Sequence, residues 1–224
     1  QQYILFRNSQ LMIPDIFVWI IVPSVSALCI FGMLKYHEIS SMGGYFLQRT
    51  SRIRYYFGGF VIAFIVPFAL FFISLALNQL LCIIAYPMSS FVSASGSLNI
   101  KEFPGVSYLL FPEIFVNKPY LYNFINIFLV SLTAGCFSLL YYSFVTLRPS
   151  KRNVFFIFPF MFYLAVALFA TLIGKLSYIP AYYLYANNGM DNLNFPYFVG
   201  FLCVMLFISM SLTIYKVLIE KDEL

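Results

Sequence analysis

The sequence predicts an all-α, polytopic membrane protein, and three observations carry that prediction. Of its 224 residues, 62% are hydrophobic and only 9% charged; a soluble domain carries roughly 25% charged residues and needs them to cover its surface. Mean hydropathy is +0.89, and the aromatic residues include 28 Phe and 18 Tyr. The apolar residues also gather into runs matching the roughly 20 residues that a helix needs to cross a hydrocarbon core. Together these exclude a soluble enzyme, a nucleic-acid-binding module, a secreted disulfide scaffold and a disordered tail.

Five runs qualify as spans of a single transmembrane domain over residues 1–224: about 13–34, 57–86, 120–147, 154–174 and 197–218. The second and third exceed the bilayer requirement, so tilting or projection beyond the lipid is expected. Pro23, Pro67 and Pro159 fall inside spans, where each removes a backbone donor and predicts a kink.

The connections sort by charge. The 35–56 loop carries Lys35, Arg49, Arg52 and Arg54; the link after the third span carries Arg148, Lys151 and Arg152; the tail carries Lys216 and Lys221. With alternating spans these lie on one side, and Arg7, Lys101, Lys118 and Lys175 on the other. Lys and Arg favour the cytoplasmic face, so loop 35–56 and the C-terminus are expected inside, and loops 87–119 and 175–196 outside. The inner segments then carry the whole net charge of +5. The expected location is the cytoplasmic (plasma) membrane. In that orientation the terminal KDEL, residues 221–224, faces the cytosol, out of reach of a luminal retrieval receptor. The opening QQYILF, without Met, suggests an upstream span and six in total.

Chemistry is sparse. Cys29, Cys82, Cys136 and Cys203 share no CxxC spacing and read as small apolar side chains. The single histidine, His37, sits in the inner loop, with no second His for a metal site. No nucleophile elbow, zinc-protease motif or phosphate loop occurs, so no enzyme activity, cofactor or metal is expected in this chain. No ionisable residue lies mid-span, which argues against proton- or sodium-coupled transport. Mild polarity remains at the outer ends of the second and third spans, in Asn78 and Gln79 and in Asn123 and Asn126. Asn123 and Asn126 share a helix face. These four either bond between helices or line the outer exit of a pathway. In the third span Ser131, Thr133, Gly135 and Ser138 permit close helix approach.

The inner loop is the most informative segment. Met42, Tyr45, Phe46, Arg49, Ile53 and Tyr56 follow i, i+3, i+4, i+7 spacing, which predicts an amphipathic helix at the inner surface with Arg49 and Arg52 side by side. Such a helix anchors on anionic lipid or docks a cytosolic partner.

With Glu38 before that helix and RTSRIR, residues 49–54, at its end, the chain resembles the permease subunits of type-2 ATP-binding-cassette exporters. The stretch KLSYIPAYYLYANNGMDNLNFP, residues 175–196, looks like that family's reentrant or interfacial element before the last span. Its Tyr178, Tyr182, Tyr183 and Tyr185 suit the headgroup level. The resemblance implies a cytosolic ATPase that carries the ATP and Mg and docks on Glu38, Met42, Tyr45, Phe46, Arg49, Arg52 and Arg54. It also implies a second permease subunit, identical or related. The cargo expected by analogy is hydrophobic or amphipathic, a bacteriocin or lantibiotic peptide or a lipid-like molecule. The alternative is a non-transporting scaffold or accessory subunit of a membrane complex.

Overall fold

Apolar runs this long leave the backbone to satisfy its own hydrogen bonds, and the helix is the local way to do so. The computed structural model describes residues 16–39, 51–85, 110–148, 152–185 and 193–222, and these are helical with no strand among them. A π-helical turn, Phe17–Ile21, leads into α1, Val22–Ile39, and α2 spans Arg52–Ala85. A short α3, Pro112–Asn117, precedes the long α4, Pro119–Leu147. A single turn, α5 (Arg152–Phe155), precedes α6, Phe158–Leu172. Two 3-10 turns, Leu176–Tyr178 and Pro180–Tyr183, then lead towards α7, Phe195–Asp222.

Among the described residues, four helical stretches are long and apolar enough to cross a membrane: Ile53–Ile84, Tyr120–Leu147, Asn153–Leu172 and Phe195–Ile219. The first expected span is represented by a shorter apolar stretch, Phe17–Gly32.

The three prolines are accommodated in three ways. Before Pro23 the chain widens into the π turn, with the Val22 amide donating to Phe17 O, a register shift that π-bulges typically supply inside helices. Pro67 lies inside the continuous α2. Pro159 stands in the first turn of α6, where its missing donor would be unpaired anyway, and the helix is broken just before it at 156–157.

Helix α4 is the axis of the bundle. Of its membrane-length window 78% is buried, against 17% for α2, 22% for the α5–α6 stretch and 33% for α7. Helix α2 lies antiparallel along it. The Tyr142 hydroxyl donates to Tyr56 O at one end, Phe64 meets Gly135 further along, and Phe72 meets Phe124 edge-on near the other. Helix α7 runs parallel to α4: Phe195 packs on Phe111 beside the start of α4, while Ser209 and Thr213 reach Ser143 near its end. Ala27 and Ile30 of α1 pack with Leu139, Tyr141 and Val145, so α1 also runs towards the end of α4.

These directions gather the ends of α1, α4 and α7 with the start of α2. The backbone positions of Arg52, Arg54, Arg148, Arg152 and Lys216 therefore share one end of the bundle. Glu113, Lys118 and Lys175 lie at the other.

Candidate functional site

The expected docking segment is described only at its edges. Glu38 falls in the last turn of α1, which continues past the expected end of the first span, and Arg52 and Arg54 fall in the first turn of α2. Arg54 is exposed, as are Ser51 and Ile53. Met42, Tyr45, Phe46 and Arg49 lie outside the described residues. The basic end therefore consists of helix termini flanking the 40–50 connection, with Arg148 exposed at the C-terminus of α4. A cation there faces unpaired carbonyls of the last turn, a favourable arrangement.

Of the polar residues at the opposite end, one pair, Asn123 and Gln79, holds two helices together. Asn123 is 5% exposed and Asn126 6%, so both face inward from α4. The Asn123 amide donates to Gln79 Oε1 of α2 at 3.5 Å, and the Asn126 amide donates to Tyr122 O of its own helix at 3.1 Å. Asn78, one residue from Gln79, is exposed on the outer side of α2. Of the four candidates, the fold pairs Gln79 with Asn123 across the α2–α4 seam, turns Asn126 back onto its own helix and leaves Asn78 exposed. Such interhelical bonds contribute about 1 kcal/mol or less each.

The small residues of α4 divide the same way. Ser131 and Thr133 donate back to Ile127 O and Leu129 O at 2.7 and 2.8 Å. Ser138 instead reaches across to Ala63 O of α2 at 2.5 Å. Gly135 receives the Phe64 ring, since a Cβ there would stand 2.7 Å from two ring carbons. On α2, Gly59 leaves room for the Tyr142 hydroxyl, which a Cβ would strike. The α2–α4 seam is thus cut to fit two aromatic side chains.

Two further constellations depend on contacts between distant parts of the chain. Near the basic end, the buried Ser143 hydroxyl lies 2.9 Å from both Leu139 O and Ser209 O and 3.2 Å from Thr213 Oγ1. Thr213 in turn donates to Ser209 O at 2.9 Å, so hydroxyls and a carbonyl join α4 to α7. At the other end, the Tyr183 hydroxyl donates to Ser177 O at 2.7 Å and accepts from the Asn194 amide at 3.1 Å. One side chain thereby clasps the first 3-10 turn to the entry of α7. Its ring stacks on Phe198 at 5.1 Å. Burial pushes the Tyr183 pKa above the usual phenol value, with the Asn194 amide acting in the opposite direction.

Within the 175–196 element, Ile179, Ala181, Tyr183, Leu184 and Tyr185 are buried in the main core, while Tyr178 and Tyr182 pack partly exposed at its edge. Lys175 places its ammonium 5.4 Å from the centre of the Tyr178 ring, a cation–π contact. Among the described residues no group of three or more His, Cys, Asp or Glu side chains could hold a metal ion. No family model, no curated protein and no solved structure matches this chain.

Proposed function

We propose that this chain is a multi-pass integral membrane protein that acts as the permease subunit of an ATP-driven exporter. The observation that carries the membrane part is an inverted surface. Among the four long stretches, burial falls as apolar character rises: α2, the most apolar, is the least buried, and α4, the least apolar, is the most buried. In water the hydrophobic effect imposes the opposite order. Lipid removes that penalty and leaves packing and hydrogen bonding to select which helix goes inside. The basic helix ends gathered at one end of the bundle support an orientation with that end in the cytoplasm.

The exporter part rests on layout. Glu38 at the end of α1 and Arg52 at the start of α2 lie at the basic end of the bundle, the side where an ATPase would bind. A folded-in turn element precedes the last helix, as in the permeases the sequence resembles. ATP and Mg would belong to the cytosolic partner, and the exposed apolar faces would meet lipid and a second permease subunit. Hydrophobic or amphipathic cargo, including a peptide such as a bacteriocin, suits the Phe-rich helices.

Affinity purification of the tagged full chain tests this reading. A cytosolic ATPase should co-purify, and Arg49→Glu with Arg52→Glu should abolish its recovery while the chain stays in the membrane. Undiminished recovery with both charges reversed would contradict it. A scaffold reading draws on the fact that Asn123 and Gln79 are occupied in helix pairing. It predicts no change in peptide efflux or sensitivity when the chain is deleted.

A further inference from the structure

Tyr163, in the second turn of α6, is completely buried, and its hydroxyl is a buried polar atom without a hydrogen-bond partner among the described residues. Trp19 of the π turn, Phe137 of α4 and Phe201 of α7 surround its ring, with centroids at 4.9, 5.2 and 6.5 Å. Three elements therefore fix the ring. A phenylalanine would make the same ring contacts without the oxygen. Burying a hydroxyl with nothing to receive its proton is a net penalty, and buried polar groups are overwhelmingly satisfied by the chain or by an ordered molecule. A second hydroxyl is at hand. Tyr185, just after the second 3-10 turn, is buried in the same core cluster.

We infer that Tyr163 forms one wall of an enclosed polar site between α6 and the 3-10 turns, which takes a small hydrogen-bond-accepting oxygen, with Tyr185 as its second contact. The oxygen belongs to a buried water, of which folded proteins hold about one per 27 residues, and it would accept the phenol proton. The inference rests on packing alone and is independent of the exporter reading.

The test uses the purified full chain in two media, a detergent without ester carbonyls and phosphatidylcholine nanodiscs. Tyr163→Phe, Tyr185→Phe and the double variant are melted in each. Tyr163→Phe should lower Tm by about 2–4 °C, the shift expected for one lost hydrogen bond in a chain of this size. The double variant should lose less than the sum of the singles. Losses in both media identify water, and a loss only in nanodiscs would mean that a lipid oxygen reaches the hydroxyl, which overturns an enclosed site. A Tm that is unchanged or raised by Tyr163→Phe in both media overturns the site, because removing an unsatisfied hydroxyl costs nothing. Additive losses overturn the part assigned to Tyr185.

Discussion

Helices α2 and α4 are antiparallel neighbours of similar length that use their residues in opposite ways. On α4, Asn123, Asn126, Ser131, Thr133, Ser138, Ser143 and Thr146 are all buried. On α2, Ile65, Leu70, Ile73, Leu77, Leu81 and Ile84 are all exposed, Ile84 to 77%. The polar side chains are inside, bonded to backbone carbonyls or to one another, and the aliphatic ones are outside. The difference shows what selects the interior here. On the proposed membrane reading it is the capacity to pack closely and to satisfy hydrogen bonds between helices, because apolar area gains nothing from burial when lipid is the alternative.

Substitutions can break this comparison. The largest effect is expected in the core of α4. Phe137 is fully buried and packs on Tyr163, so Phe137→Ala should cost about 3–5 kcal/mol, read as a lower midpoint in a detergent unfolding titration. A similar truncation on the outer face of α2, Ile73→Ala, should change stability little if lipid replaces the lost contacts.

A charge reverses the ranking on that outer face. Ile73→Asp should raise the cost of membrane insertion by about 2.5–3.5 kcal/mol and lower the inserted fraction in an insertion assay. An outer face that met water would accept the same carboxylate readily. Next comes the seam itself. Gly135→Val drives a side chain into Phe64 and should destabilise by about 1–3 kcal/mol, whereas Gly58→Val, where a Cβ meets nothing within 4 Å, should cost less. The smallest effect belongs to the hydroxyl link between α4 and α7. Ser143→Ala should lose about 0.6 kcal/mol, since Thr213 still donates to Ser209 O.

The same contrast explains what could be read from the sequence. Long apolar runs locate α2, α4, α6 and α7 without ambiguity, because in such runs helix formation requires no amphipathic pattern. The inward side of each helix was not legible for the same reason: α2 is apolar all round, so no periodicity marks the face that meets α4. Small residues gave the only advance signal, and Gly135 and Ser138 do form the seam. Their partners, Phe64 and Ala63, had no signal of their own. Asn123 and Asn126 on one face were predictable, but which of Asn78 and Gln79 turns towards them depends on the crossing of two helices. The break before Pro159 is local proline chemistry, readable as a helix start as well as a kink. The Tyr183 clasp and the Ser143–Ser209–Thr213 link join residues far apart in the chain, and no spacing announces them.

The central claim is that the most apolar face of the molecule lies against lipid and the basic helix ends against water. Labelling of single cysteines by a membrane-impermeant maleimide on inside-out vesicles tests it most directly. Cys29, Cys82, Cys136 and Cys203 are first replaced, and Leu70→Cys and Arg54→Cys are compared. Both positions are exposed on the isolated chain, Leu70 to 43%, so exposure alone predicts equal labelling. Position 54 should label rapidly, and position 70 not at all until detergent and denaturant are added. Labelling at 70 as fast as at 54 in intact vesicles would contradict it.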